Sequence, residues 1–150
     1  SKKIKAAKKA DQDFKRETKR RKVAAKTRSA WYADVQTEFN KYIRFRDHGK
    51  PCISCQKNSG AKMNAGHYLS VGAHPELRFE PLNCHLQCES CNSFLSGNVA
   101  RYRINLIERI GIEAVEMLEG PHEPAKLSVD DIVAIKERYK AKLAQLAKSK

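Results

Sequence analysis

Apolar residues recur along this chain in two distinct rhythms, and the change of rhythm divides it into parts. From Lys2 to Lys26 the residues are Lys, Arg, Ala, Gln and Glu with almost no large side chain, so helix propensity is high but no face exists to pack. The pattern predicts a solvent-exposed helix that orders on a partner. After Ser29, a plausible N-cap, Trp31, Val35, Phe39, Tyr42 and Ile43 recur at three- and four-residue steps, which predicts a helix to about Asp47. Gly49 and Pro51 end it.

The period then shortens. Asn58-Ser59-Gly60 reads as a turn, Asn64–Val71 as a strand around Gly66, and Leu77–Phe79 before Pro81 as a short second strand, so the segment forms a small two-stranded hairpin at most. Helical spacing returns after Cys88, breaks at Ser96-Gly97-Asn98 and resumes from Val99 to Ile110, with Gly111 suited to a left-handed C-terminal position. Ile112–Leu118 reads as a turn and residues 120–124 as a loop. Ser128 and Asp131 form a capping box that opens a last helix over about Val129–Ala147, with the stripe Ile132, Ile135, Tyr139, Leu143 and Leu146. The expected fold is mainly helical around a small β-hairpin.

Charge sharpens the division. Residues 1–50 hold 17 Lys and Arg against 6 Asp and Glu, residues 51–100 hold 3 against 3, and residues 101–150 hold 10 against 8. The net +13 is therefore mostly an arm, residues 1–28, ahead of a domain over 29–150. Concentrated positive charge without large apolar residues suits a phosphate backbone better than a membrane surface. Lys15, Arg16, Lys19, Arg20, Arg21 and Lys22 are the expected contacts on the arm, and Arg78, Asn98, Arg101 and Arg103 those on the domain. No apolar run is long enough to span a bilayer, so a soluble, intracellular protein is expected.

The chemistry lies between the two rhythms. Cys52/Cys55 and Cys88/Cys91 are two C-x-x-C pairs, a spacing that closes on one tetrahedral Zn²⁺, and a reducing compartment favours zinc over disulfides. Cys84 is left over and reads as a small, half-buried apolar residue. The insert between the pairs holds His67 and Asn83, and Asn92 follows the last cysteine. That series is what a zinc-stapled HNH, or ββα-metal, nuclease needs. His67 would be a general base, Asn83 would hold the loop carrying it, and Asn92 would offer an oxygen to Mg²⁺ or Mn²⁺; His85 is a second candidate for phosphate or metal contact.

Pro51-Cys52-Ile53-Ser54-Cys55, Ala65-Gly66-His67-Tyr68, Leu77-Arg78-Phe79, Asn83, His85, Gln87-Cys88, Cys91-Asn92, Ser96-Gly97-Asn98, Tyr102-Arg103 and Arg109-Ile110-Gly111 together resemble the phage NinG family, also called Rap, over about residues 29–147. The resemblance implies a phage-encoded endonuclease of the host cytoplasm that cuts branched recombination intermediates, Holliday junctions and D-loops, alongside recombination proteins. The Cys91-Asn92 step is also similar to endonuclease VII, an intertwined dimer, so a homodimer is expected, with the stripes on 31–43 and 132–146 as candidate interfaces. Endonuclease VII-like sites place an acidic metal ligand just before the histidine, where this chain has Gly66. His67 is then either a metal ligand, leaving the base to His85 or to water, or the base itself. Family members tend to carry a cysteine-bearing segment upstream, so the chain reads as a truncated piece. The competing class is a non-catalytic zinc-bearing module that binds DNA or RNA.

Overall fold

A computed structural model describes residues 1–58 and 62–149 of the chain. Its first helix, α1 (Lys2–Ala24), buries none of its residues. The helix is supported along its own length by pairs such as Lys15–Asp11 (2.7 Å) and Arg21–Glu17 (3.2 Å), which are exposed and weak. The next helix, α2 (Arg28–Arg46), is capped by Thr27 rather than Ser29: the extended Thr27 accepts a bond from the Ala30 N–H at 3.1 Å, whereas Ser29 already lies inside the first turn.

The stripes on 31–43 and 132–146 meet each other. Val35, Phe39 and Ile43 of α2 and Ile132 and Tyr139 of α5 (Val129–Ser149) are buried, with the Tyr139 ring edge-on to Phe39 at 4.9 Å. The Tyr139 hydroxyl donates to the Phe79 carbonyl at 2.9 Å, so even the polar end of the ring is satisfied. This corrects the expectation that the two stripes form an interface between copies, since within one chain each already covers the other. The capping box at the head of α5 forms in both directions, Asp131 N–H to Ser128 Oγ (3.1 Å) and Ser128 N–H to the Asp131 carboxylate (2.8 Å).

The hairpin consists of β1 (Met63–His67) and β2 (Cys84–Cys88), antiparallel, with Met63 opposite Cys88 and His67 opposite Cys84. The second strand is therefore not at Leu77–Phe79. Pro75 and Pro81 lack ladder donors and instead start 3₁₀ turns, Pro75–Leu77 and Pro81–Asn83. The true partner is buried throughout and shows no alternation. One sheet face, with Ala65 and Cys84, packs on Phe39, Ile43 and Tyr139. The other is covered by α3 (Val99–Ile110), whose Tyr102 and Leu106 join Ile53, Tyr68, Leu77, Val115 and Leu118 in a second cluster.

Ile112–Leu118, expected as a turn, is the helix α4 (Ile112–Glu119). It has no side-chain cap, and burial of Val115 and Leu118 under α3 supports it instead. Gly111, at φ +88°, makes the reversal between the two helices. Cys84 is fully buried among the aromatic rings rather than half-buried. The turn expected at Asn58-Ser59-Gly60 falls partly on Ser59 and Gly60, outside the described residues. Among those described, no helix is long and apolar enough to cross a membrane.

Candidate metal centre and adjoining groove

Each C-x-x-C pair folds into a tight turn that aims backbone N–H groups at sulfur. Cys55 N–H points to Cys52 Sγ and Cys91 N–H to Cys88 Sγ, both at 3.5 Å, and the Asn98 amide donates to Cys91 Sγ at 3.4 Å. β2 ends at Cys88, so the hairpin register delivers the second pair to the first. The four sulfurs lie within 4.8 Å of one another, and Cys55 and Cys88 Sγ are 3.8 Å apart. Tetrahedral zinc at about 2.3 Å from each sulfur demands a separation of roughly 3.8 Å.

These four cysteines could hold one ion such as zinc. Burial pushes the Cys52 thiol up, but the surrounding N–H groups outweigh it and bring it down to about 7. Burial raises the Cys88 thiol and takes Cys91 to about 12 against the pull of Asn98. A cation is what lets all four shed their protons together. With every position taken by sulfur the site would be closed and structural.

His67 ends β1. Its ring stacks on Phe39 at 6.1 Å, and Nε2 lies 2.9 Å from the Arg78 carbonyl, which can only accept. The proton is thereby assigned to Nε2, and Nδ1 keeps its lone pair. Burial lowers the pKa of His67, so the ring is neutral near pH 7. Fully buried Asn83 accepts from the Leu69 N–H at 2.9 Å and donates to the Leu69 carbonyl at 3.0 Å, closing the loop two residues beyond the histidine. Asn92 sits in a single π-helical turn, Ser90–Phe94. His67 and Asn92 line one surface groove of about 540 Å³, together with Ser70, His74, Ser96 and Gly97.

His85 is not brought there. It is 3% exposed beneath the opposite sheet face, with Nδ1 3.4 Å from the Tyr102 hydroxyl, and burial holds its pKa down to about 3. Beside it lies a pair that the sequence did not flag. Buried Asp47 accepts two bonds from Arg46 (2.8 and 2.9 Å) and one from the Leu86 N–H (3.0 Å), which ties the end of α2 to β2.

The position before His67 is closed to any side chain. A Cβ on Gly66 would overlap Gln87 Oε1 and stand 2.9 Å from Gln87 Cβ and Cδ. Gln87 is fully buried, and its amide donates to the Gly97 carbonyl (2.6 Å) and Ser54 Oγ (2.9 Å), locking the first cysteine turn to the turn after Asn92. Gly66 alone hinted at this lock in the sequence.

The expected nucleic-acid contacts are scattered in character. Lys15, Arg16, Lys19, Arg20, Arg21 and Lys22 are all exposed on α1. Arg101 is exposed and lines a cleft with Lys57, Leu95 and the cysteines. Arg103 is engaged by Glu119 at 2.9 and 3.0 Å, and Arg78 donates to Gln36 at 2.9 Å and lies over Tyr32. Asn98 spends its amide on Cys91.

A family model described as Bacteriophage Lambda NinG protein matches residues 1–149. Proteins called Protein ninG from Escherichia phage 933W and Salmonella phage P22 are each 45% identical over 130 residues, and that of Escherichia phage lambda is 44% identical. The match covers 87% of this chain but only 65%, 64% and 64% of those proteins, so the chain spans a little under two thirds of their length. No solved structure matches.

Proposed function

This chain belongs to the NinG family of bacteriophage proteins, and on that footing we propose that it is an endonuclease hydrolysing phosphodiesters at branched DNA. The observation that carries the reading is the shared groove: a neutral histidine with one ring nitrogen bonded to a carbonyl faces the same depression as Asn92, on a hairpin and turn stapled by four thiols.

His67 is the general base in this reading. The Arg78 carbonyl fixes the ring, and Nδ1 takes the proton of the attacking water as its oxygen adds to phosphorus and the P–O bond to the leaving group breaks. Asn83 keeps the loop after His67 in place. Among the described residues the four cysteines are the one group of three or more His, Cys, Asp or Glu donors close enough to share an ion, so a carboxylate cage for a second cation is not present there. A cation of the Mg²⁺ or Mn²⁺ kind, which needs few protein donors, would be held in this reading by the Asn92 oxygen and would complete its shell from water and the substrate. Such an ion would supply polarisation of the scissile phosphate. Gln87 closes Gly66 to an acidic ligand and His85 is buried elsewhere, so this reading takes His67 as the base, with metal-bound water as the base if His67 instead holds the ion. The exposed arm supplies backbone affinity. A four-way junction has two-fold symmetry, so two copies acting in the host cytoplasm beside recombination proteins suit the substrate.

The test is cleavage of a four-way junction by the purified protein with Mg²⁺ or Mn²⁺, against a linear duplex. His67→Ala and Asn92→Ala should keep the fold and junction binding within a few-fold, yet cut at least about 10²-fold more slowly. His67→Ala cutting at the wild-type rate would leave a binding module as the better account.

A further inference from the structure

The turn that follows Asn92 carries an apolar tip that the chain itself does not cover. Phe94 is 80% exposed and Leu95 56%, in a protein that buries its other phenylalanines except Phe14 on the arm to half or more. This tip is held rigidly. Ser96, Gly97 and Asn98 all have positive φ (50°, 89° and 43°), and the Leu95, Gly97 and Asn98 N–H groups bond to Ser90 O (2.9 Å), Cys91 O (2.8 Å) and Leu95 O (2.8 Å). Gln87 holds the Gly97 carbonyl from below, and Asn98 holds Cys91 Sγ. The backbone of the protrusion is therefore anchored in the cysteine cluster.

Its surroundings point to a nucleic-acid occupant. The turn that carries the tip contributes Asn92, Ser96 and Gly97 to the groove shared with His67, and Leu95 to the cleft lined by Lys57 and Arg101. An apolar tip on the turn that supplies Asn92, Ser96 and Gly97 to the candidate phosphate-cutting groove, with the Lys57 and Arg101 side chains lining the neighbouring cleft, is placed to meet bases while those two cations meet backbone phosphate. Stacked bases in uniform duplex offer no apolar face at an edge, whereas a branch point does, because stacking is interrupted there.

We propose that Phe94, supported by Leu95, is a wedge that inserts at the branch point, where stacking is weakest, parts the flanking bases there and so selects branched over linear DNA. The proposal rests on the branched-DNA reading of the groove and adds to it the residue that recognises the branch. Phe94 stands out in solvent and lines neither the groove nor the cysteine cleft, so replacing it leaves the thiol cluster and the proton-accepting nitrogen in place.

The experiment uses the full chain and a four-way junction carrying 2-aminopurine at the branch, whose fluorescence rises when a base unstacks, first without divalent ion. Wild-type protein should raise the fluorescence on binding. Phe94→Ala should abolish the rise and weaken junction binding at least about 10-fold while binding to linear duplex stays within about two-fold, and Phe94→Tyr should restore both. Equal fluorescence from Phe94→Ala and wild type, or equal weakening on junction and duplex, would overturn the wedge. Cleavage is then scored separately with Mg²⁺: a wild-type protein that unstacks the branch but never cuts refutes the nuclease reading and leaves the wedge, whereas one that cuts without unstacking does the reverse.

Discussion

Gly66→Ala probes the lock beneath the candidate groove with the smallest possible change. The added methyl would overlap Gln87 Oε1 and approach Gln87 Cβ and Cδ to 2.9 Å, closer than carbon atoms rest. Gln87 has nowhere to go, because it is fully buried and bonded through its amide to Ser54 Oγ and the Gly97 carbonyl. Forcing a methyl into a packed interior costs about 1–3 kcal/mol, and each hydrogen bond broken as Gln87 turns away adds roughly 1 kcal/mol. The sum is about 3–5 kcal/mol, a fall in Tm of on the order of 10 °C for a chain of this size. Thermal unfolding followed by circular dichroism measures it. Gln87→Ala alone also destabilises, yet it clears the space, so Gly66→Ala on that background should cost under about 1 kcal/mol and the double-mutant cycle should show strong coupling. A Gly66→Ala protein melting within about 2 °C of wild type would refute the steric account, and with it the reason that no acidic ligand precedes His67.

Cys88→Ser should abolish binding of one zinc per chain and remove the cooperative melt, since such an ion contributes folding free energy on the order of 10 kcal/mol; atomic absorption and calorimetry check both. Deleting α1, which buries nothing, should leave Tm unchanged within about 2 °C while lowering the slope of log K against log salt by about 0.9 for each duplex phosphate that the arm had neutralised. Burial lowers the pKa of His67 and takes His85 to about 3. The unfolded chain therefore binds more protons below about pH 6.5, and the stability these neutral rings contribute is present above that value and lost as pH falls toward their folded pKa values. Urea midpoints should drop between pH 7 and 5, less steeply in His85→Asn.

Much of this molecule is written in local pattern. Helical spacing placed α2, α3 and α5, Ser128 and Asp131 marked the start of α5, and the paired cysteines announced their own cluster, because periodicity, capping and metal spacing are set by residues a few positions apart. Where the local signal was weak, tertiary burial decided. β2 lies on Cys84–Cys88, covered on both faces and so without alternation, and α4 exists because Val115 and Leu118 find a core under α3. The same holds at the groove. Which way each histidine faces follows from the register that sets His67 opposite Cys84 and Gly66 opposite His85: neighbours on a strand point to opposite sides, so one ring meets Phe39 and the Arg78 carbonyl while the other is sealed beneath Tyr102. Types and spacings could nominate both, but only the pairing of distant strands separates the half-buried histidine that lines the groove from the one sealed inside.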